Sequence, residues 1–405
     1  MQARAAYGRA RFHQTAQSMT RRFHALSASA LLIGLTASAG PAQARDGLDL
    51  SADYIADISA TVGGGSDRKA RYLDNVKLGL DADLEALWGV SDTSVHVDVL
   101  GNFGLRPNDA AGTIEGVDNI EVGRAAVRLF EAWAERRFSA GSLRVGLYDL
   151  NSEFYATDSS ALLIAPPFGI GSELAATGSN GPSIFPSSAL AVRLRLEAPS
   201  AKAFAQVAVL NAKAQTLGDP GGVDLGFREG LLAIGEAGLG DRLRGSIGIW
   251  TYTRPAEALA SLGPAGDPLR ERPAGIFGTA EAHLAPEGKR DVAVFVRGGA
   301  ARGKTQPFTA SLQAGVLIAP AIAGRKDSAF SFGFHQSQTS ADFRAAQMAV
   351  GETAWERERG VEITYADAVL PHLTLQPDFQ LIERTSAASR VPITVHATLR
   401  VKYTF

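Results

Sequence analysis

The chain of 405 residues contains no cysteine. It therefore forms no disulfide bonds, although the composition of residues 1–44 predicts export to an oxidising compartment where such bonds could form. Beyond residue 44 it also lacks any uncharged apolar run approaching the roughly 20 residues that a membrane-spanning helix needs. A helical membrane protein is excluded. A β-barrel is not, because its strands alternate apolar and polar residues and average to a neutral mean hydropathy, here +0.00.

Basic residues are slightly fewer than acidic ones. Lys and Arg together number 40, against 42 Asp and Glu. Five arginines and no acids lie in residues 1–44, so the remainder has 35 basic residues (40 − 5) against 42 acidic ones, a net charge near −7. This balance gives no support to nucleic-acid binding.

Motifs for catalysis and metal binding are missing as well. The chain has neither HExxH nor GxSxG, and each His beyond residue 44 lies alone on a separate predicted strand or connection, without a partner at ligand spacing. These residues are His96, His283, His335, His372 and His396. The Gly-rich segment 63–65 follows a strand but leads into no helix, which argues against a phosphate loop. We expect no enzyme, no metal and no cofactor.

The N-terminal segment is typical of a secretory signal peptide. Two arginines precede an uncharged stretch from Leu26 to Gly40, and small residues follow as a cleavage site. We therefore predict a signal peptide over residues 1–44 and a single β-barrel domain over residues 45–405. Residues 1–18 are explained either by a start codon assigned too early, with translation beginning at Met19, or by a function of their own.

The rest of the sequence alternates between apolar and polar residues. In the last segment, VPITVHATLRVKYTF at 391–405, the odd positions are apolar and the even ones polar or Pro. This predicts a strand of about twice the usual soluble length. NVKLGLDADLEAL at 75–87 alternates in the same way and places Lys77 and three acids on one face. No buried face of a β-sandwich would hold that many acids.

This period of two recurs along the chain and gives sixteen candidate strands. Their connections alternate in length: 104–123 and 150–186 are long, whereas 139–141 and 198–201 are short. Tight turns at one end and long loops at the other are typical of bacterial outer-membrane barrels. The sequence thus predicts an all-β fold, a 16-stranded antiparallel transmembrane β-barrel with short periplasmic turns and long extracellular loops, in the outer membrane of a Gram-negative bacterium.

The C-terminal strand is predicted to close this barrel. In lipid an open sheet edge would leave backbone groups unpaired at several kcal/mol each, so the last strand must pair with the first. Tyr403 and Phe405 would then lie where an aromatic girdle meets the membrane interface. A terminal aromatic residue is common in outer-membrane proteins, and we predict that these two residues form a signal for the barrel-assembly machinery. An ordinary strand edge is the alternative.

One block of the sequence is more specific. NIEVGRAAVRLFEAW and GSLRVGLYDLNSEF occur within residues 119–198, together with FGIG at 168–171 and NGPSIFP at 180–186, and LQPDFQ follows at 375–380. These segments resemble the carbohydrate-selective porin (OprB) family. The resemblance implies a sixteen-stranded barrel through which mono- or small oligosaccharides diffuse passively along a water-filled, constricted lumen. The apolar SALLIAPPFGIG and the Pro-, Ala- and Gly-rich loop at 255–272 depart from the family pattern.

The connection 150–186 is the longest and the third of the long loops. In porins a loop at this place folds into the barrel and narrows it, which lets it control selectivity. Its apolar residues, Leu162, Leu163, Ile164, Phe168, Ile170 and Ile184, would be poorly placed on a wet surface. We therefore predict an inward-folded third loop, with an extracellular lid as the alternative.

Charged and aromatic residues on the polar strand faces and in this loop are candidates for the pore lining. Opposed acidic and Arg side chains let sugar hydroxyls exchange water hydrogen bonds for protein ones, and aromatic rings offer stacking surfaces. The candidates are Glu131, Trp133, Glu135, Arg144, Tyr148, Glu153, Phe154, Tyr155, Asp158, Arg193, Arg195 and Arg297. The alternative for the charged residues is pairing with one another, and for the aromatic ones it is fastening the loop to the wall.

Two other kinds of barrel stay open at this point. One is a general or anion-tolerant diffusion porin without sugar preference, and the other is a structural barrel whose lumen the third loop occludes. Sixteen strands enclose a lumen too wide to be filled by wall side chains, which favours a channel. The expected partners are permeating sugars, outer-membrane lipid and lipopolysaccharide, the assembly machinery and, as an open question, two further copies in a homotrimer.

Overall fold

The computed structural model describes residues 46–284, 290–385 and 393–405. The predicted signal peptide at 1–44 lies outside these residues, as do the first two positions of the predicted last strand. Asp46–Phe405 forms one compact unit. Within the described residues, no helix has the length and apolar character needed to cross a membrane.

Sixteen antiparallel strands in the described part of the chain close into a barrel, as predicted. They are β1 (Leu48–Gly63), β2 (Arg71–Asp83), β3 (Thr93–Gly104), β4 (Ala126–Phe138), β5 (Gly141–Tyr148), β6 (Ala189–Ala198), β7 (Ala203–Asn211), β8 (Leu231–Gly240), β9 (Leu243–Tyr252), β12 (Ala274–His283), β13 (Asp291–Ala301), β14 (Phe308–Ala319), β15 (Ala329–Thr339), β16 (Arg357–Leu370), β17 (Leu373–Thr385) and β18 (Thr394–Thr404). Two further strands, β10 (Ala256–Leu262) and β11 (Pro268–Glu271), form a separate hairpin between β9 and β12.

The alternation predicted from sequence separates the two faces of the wall. In β18, His396 and Arg400 are buried inside the barrel, whereas Leu399 between them is 41% exposed on the outside. On β9 the outward Ile247 and Ile249 are exposed to 75% and 65%. An apolar outer surface around a polar interior is the arrangement that a membrane-spanning barrel requires.

The last strand closes the barrel against the first. β18 pairs with β1 from Asp53 opposite Thr404 up to Gly63 opposite Val395. Beyond the strand, the Phe405 amide donates to the Ala52 carbonyl at 2.9 Å. The described part of the predicted strand at 391–405 thus forms β18, and its backbone groups are paired on both sides.

Connections at one end of the barrel are long and those at the other are mostly short. The long-loop end carries, among others, loop 2 (residues 105–125), loop 3 (residues 149–188) and the connection 253–273, whereas turns such as 139–140 and 241–242 lie at the short-turn end. The predicted alternation fails at two places, next to β2 and next to β14. There the short-turn connections 84–92 and 320–328 are longer than the neighbouring long-loop connections 64–70 and 302–307.

Short helices occur only in the connections of the described chain. They are the α-helices Leu84–Trp88, Pro107–Ala111, Ser172–Ala175 and Ala341–Ala349 and the 3-10 helices Leu150–Ser152, Asp158–Ser160, Pro166–Phe168 and Pro199–Ala201. The prediction that strand alternation continues to residue 87 was wrong. Asp83 ends β2 because its carboxylate accepts the amides of Glu85 and Ala86 and caps a helix. The hairpin β10–β11 was likewise not predicted in the loop at 255–272.

Candidate functional site: two loops inside the barrel

Loop 3 runs inside the barrel and reaches deep into it. The amides of Asp158 and Ser159 donate to Glu281, three residues from the short-turn end of β12, at 3.3 and 2.8 Å. Farther along, the amides of Ile164 and Ala165 donate to the carboxylate of Glu362 on β16, which lies nearly opposite β5, the strand where loop 3 begins. The loop therefore crosses the lumen between two walls, which is the inward folding that its length and apolar content predicted.

Carboxylates of the wall hold the backbone of both inward loops. As with Glu281 and Glu362, Glu358 on β16 binds two consecutive amides, those of Ile114 and Glu115 in loop 2, at 2.8 and 2.9 Å. Buried amides outside regular structure need such acceptors, and bonds to a charged oxygen are the stronger kind. The sequence analysis missed these three glutamates, because an inward carboxylate on a strand looks the same whether it faces water or a loop.

Arg297 on β13 faces loop 3 and not the open lumen. Its guanidinium donates to the carbonyls of Tyr155, Pro167 and Gly169 at 3.0 to 3.3 Å, and the residue is 1% exposed. The prediction that Arg297 lines the pore was wrong, because loop 3 covers it completely. Its position fixes the loop to the wall.

Four predicted residues meet where loop 3 leaves the wall. Arg193 on β6 donates to Glu135 on β4 at 2.6 Å and to Glu153 in loop 3 at 2.7 Å. Arg144 on β5 lies 3.0 Å from the same Glu135 oxygen, and its guanidinium carbon is 3.7 Å above the ring of Trp133. We name Glu135, Arg144, Glu153 and Arg193 the Arg–Glu cluster. In it the charges pair with one another, which was the alternative weighed for them.

The aromatic residues around the start of loop 3 are buried. Tyr148, Phe154 and Tyr155 are 1%, 0% and 0% exposed. Tyr148 donates to Glu153 at 2.6 Å, and the ring of Tyr155 stacks on Phe277 of β12 at 4.3 Å. The prediction that these three rings offer stacking surfaces to sugars was wrong, because apolar side chains of both the loop and the wall bury them. They fasten the loop, as the alternative held.

A bulge in β4 brings Glu131 to the lumen side. The pairing of β3 with β4 shifts at Phe130, so that Arg128 and Glu131 face inward although they are three positions apart. The Glu131 carboxylate accepts the Asp149 amide at 3.0 Å and the indole N–H of Trp133 at 3.1 Å. Glu131 thus fixes the first residue of loop 3.

Three predicted residues line a lower cavity of about 360 Å³ between loop 3 and the wall of β6–β12. They are Glu153, Asp158 and Arg195. Asp158 pairs with Arg244 at 2.7 Å, and Arg195 lies over the ring of Phe204 and donates to its neighbours on the wall. Glu153, Asp158 and Arg195 are therefore the predicted residues whose side chains face this open cavity.

Loop 2 also lies inside the barrel, which the sequence analysis did not predict. Glu115 reaches β15, where its carboxylate lies 3.0 Å from His335 Nδ1 and accepts the hydroxyl of Ser337. The same carboxylate accepts the hydroxyl of Ser172, so loops 2 and 3 join there. The residues lie far apart in sequence and share no pattern that could have indicated the contact.

The two loops leave an inner cavity of about 640 Å³ along the wall of β18, β1, β2 and β3. Its polar lining includes Asp53, Asn75, Lys77, Asn119, Asp149, Asn151, Arg400 and Lys402, and its apolar lining includes Leu100, Ile120, Phe130, Ile170, Ile184 and Phe185. None of the polar residues of this inner cavity was among the candidates.

The electrostatics of the inner cavity depend on buried acids at its edge. Arg400 holds Asp57 at 2.7 Å and Asn119 at 2.8 Å. Burial, together with the nearby charge of Asp57, raises the pKa of the Asp118 carboxyl well above its usual range. Burial also raises the pKa of Asp149 to about 8, and the charge of Glu131 acts in the same direction. Near neutral pH, Asp149 is therefore mostly uncharged.

One group of described residues has the spacing of a metal site. Ligand atoms of His96, Asp98 and Glu131 lie within 4.8 Å of one another. His96 is paired on its other nitrogen with Asp81 at 2.7 Å, and Lys77 lies 3.5 Å from Asp98. The group is explained as a chain of polar contacts along the wall, in which His96 and Lys77 already pair with Asp81 and Asp98.

A closed barrel of sixteen strands with a polar lumen and loops folded inside defines an outer-membrane channel of the porin class. A profile of the carbohydrate-selective porin, OprB family, matches residues 67–405, and the chain belongs to that family. Family and fold place the protein in the outer membrane and are those of a channel and not of an enzyme.

Solved structures with the same fold include Pseudomonas putida OprB at high pH, with 18% identity and a TM-score of 0.76 over 89% of this chain and 94% of that one. The DcaP channel of Acinetobacter baumannii has 12% identity and a TM-score of 0.56 over 90% and 99% of the two chains. Salmonella typhi OmpF in complex with daunomycin has 12% identity and a TM-score of 0.56 over 89% and 98%. No curated protein sequence matches the chain.

Proposed function

We propose that the protein lets mono- and small oligosaccharides diffuse passively through the inner cavity. The observation that carries this proposal is the composition of that cavity: about 640 Å³ lined both by amide and charged groups and by apolar rings and aliphatic chains. A cavity of this size class accommodates small ligands.

The amide groups suit an uncharged solute. Asn75, Asn119 and Asn151 each carry a donor and an acceptor group, so they can replace the water around sugar hydroxyls without adding charge. Phe130 and Phe185 lie edge to face at 6.3 Å in the same lining and offer apolar contact to the C–H faces of a sugar ring.

The attachment of the loops supports a constriction of fixed width. Glu281, Glu362 and Glu358 each bind two consecutive loop amides, and Arg297 binds three loop carbonyls. Diffusion through such a gap follows the solute gradient and needs no moving element. The same geometry would serve a general porin without sugar preference, so the two proposals differ only in whether sugars bind on their way.

Liposome swelling with the purified, refolded chain tests this passage. We expect swelling in isotonic glucose, slower swelling in a disaccharide, and none in a neutral polymer too wide for the inner cavity. A linear polyol with the mass of glucose is the control for sugar preference. Swelling that depends on mass alone would favour the general porin, and no swelling in any solute would favour an occluded barrel.

A further inference from the structure

The outer mouth of the barrel, at the long-loop end, contains two cavities that adjoin each other. One has about 640 Å³ and lies beside Arg128 and Asp219, and the other has about 350 Å³ and lies beside Tyr252 and Arg270. Ser179 and Glu229 line both cavities, and the Ser179 hydroxyl donates to Glu229 at 2.6 Å.

Basic residues dominate this outer mouth, although acids exceed bases in the chain as a whole. Its two acids are Asp219 and Glu229. Its six basic residues are Arg124, Arg128, Lys213, Arg228, Arg254 and Arg270. Burial alone would raise the pKa of Asp219, but the hydrogen bonds from Arg128 and from the Ser187 hydroxyl outweigh burial and lower the pKa. Asp219 is therefore ionised and contributes a full negative charge. The excess is still four positive charges.

Several of these basic side chains form no ion pair with the described residues. Arg228 and Arg254 are exposed, and neither side chain has a partner in the part of the chain that the structure describes. Arg270 donates only to the Pro255 carbonyl, at 3.4 Å, and Glu257, its neighbour on the hairpin, forms no ion pair with it. Arg128 is 4% exposed, and its Nη1 is buried without a hydrogen-bond partner.

Neutral hydrogen-bonding groups lie among these cations. Asn180 and Gln215 line the larger cavity, and Thr305 and Gln306 line the smaller one. A guanidinium group matches the two oxygens of a carboxylate in a fork of parallel hydrogen bonds, and amides and hydroxyls match sugar hydroxyls. An excess of one charge at a channel entrance also raises the local concentration of the opposite ion.

We propose that the outer mouth is a capture site for sugars that carry a carboxylate, such as uronic and aldonic acids. The carboxylate binds Arg228 and Arg254, and the ring hydroxyls bind the neighbouring amides and hydroxyls. This inference deepens the proposed function and rests on it, because the captured sugar continues into the inner cavity. It adds a site at the entrance that is separate from the lining of that cavity.

Channel block from the long-loop side tests the capture site. Glucuronate, glucose and acetate are added separately to that side of a planar bilayer holding the full refolded chain. We expect glucuronate to block at a lower concentration than glucose, and acetate not to block. In the double variant Arg228→Gln/Arg254→Gln the half-blocking concentration of glucuronate should rise about fivefold, as expected when two exposed charged contacts are lost. That of glucose should not change.

Arg302→Gln is the matched control, since Arg302 is exposed at the same end, has no side-chain partner among the described residues and lines neither cavity. Glucuronate should block this variant at the same concentration as it blocks the unchanged chain. Equal glucuronate block in the double variant and the unchanged chain would overturn the capture site. Block by acetate with the same dependence on the two arginines would also overturn it, because the outer mouth would then attract anions in general and not sugars that carry a carboxylate. Failure of the proposed function has a different signature, absence of glucose block in every variant.

Discussion

The Glu362 carboxylate lies 2.5 Å from the amide nitrogen of Ile164, a contact that joins the barrel wall to the middle of loop 3. The next amide, of Ala165, bonds to the other carboxylate oxygen at 2.9 Å. A carboxylate that binds two adjacent amides fixes both the position and the direction of the loop. Loop 3 is thus held across the lumen by its backbone amides, which any residue except proline would supply at these two positions.

Replacing this carboxylate should loosen the loop. In Glu362→Ala both hydrogen bonds to the loop amides are lost, each worth about 1 kcal/mol. We expect faster amide exchange at residues 162–166, higher single-channel conductance and more current noise. Glu383→Ala is the control, because Glu383 is a partly exposed carboxylate on the next strand that pairs with Arg359 and holds no loop amide. Equal exchange in the two variants would contradict the anchoring role.

Charge balance in the Arg–Glu cluster should set part of the ion selectivity. Arg193→Met leaves Arg144 as the one cation shared by Glu135 and Glu153, with the exposed Arg137 3.6 Å from Glu135. We expect greater cation preference, measured as a shifted reversal potential in a salt gradient, and lower thermal stability, since breaking a buried pair costs about 3–5 kcal/mol. Adding Glu153→Gln should restore most of both properties. If the double variant is no better than the single one, the residues do not act as a unit.

The pKa of Asp149, about 8, predicts a pH-dependent channel. Below this value the carboxyl is protonated and neutral, and above it the inner cavity gains a negative charge. The reversal potential should therefore shift towards cation preference between pH 7 and pH 9. Asp149→Asn keeps an acceptor for the Asn151 amide and cannot ionise, so its reversal potential should stay constant across this range. A shift of the same size in this variant would assign the titration to another group.

Removal of Tyr403–Phe405 should hinder assembly of the barrel. The deletion removes the pairing of Tyr403 with Tyr54 and the hydrogen bond from Phe405 to Ala52, and it removes two rings that lie 4.6 Å apart. We expect less heat-modifiable folded barrel in the outer membrane. Phe379→Ala is the control for loss of an outward ring, at 41% exposure on β17. Undiminished folded barrel after the deletion would contradict the assembly role.

The wall could be predicted from sequence because lipid and lumen impose a period of two on every strand. The alternating segments therefore predicted the number of strands and the inward direction of Arg193 and Arg297. The last of them, VPITVHATLRVKYTF, predicted that the barrel closes. The outcome for these two arginines shows the limit. Arg193 pairs with acids of the wall and the loop, whereas Arg297 lies under loop 3. Which of these contacts an inward arginine makes depends on the path of the loop.

The loops could be predicted in length but not in path. The apolar residues of loop 3 indicated that it folds inward, yet Phe154 and Tyr155 are buried in one cluster with Ile170 and wall residues, and therefore cannot meet a sugar. Loop 2 carries no comparable apolar run, and its contact between Glu115 and His335 joins a loop to a strand 220 residues farther along the chain. The inner cavity is formed by what these loops leave open, so its lining could not be read from any one segment.

The central claim is that neutral sugars bind in the inner cavity while they pass through it. Single-channel conductance in planar bilayers, titrated with glucose, a disaccharide and a neutral polymer of matched size, tests this most directly. The account predicts concentration-dependent block by the sugars and none by the polymer, with weaker glucose block in Asn75→Leu, which removes an amide from the lining. Conductance that no sugar blocks, or the absence of conductance, would contradict it.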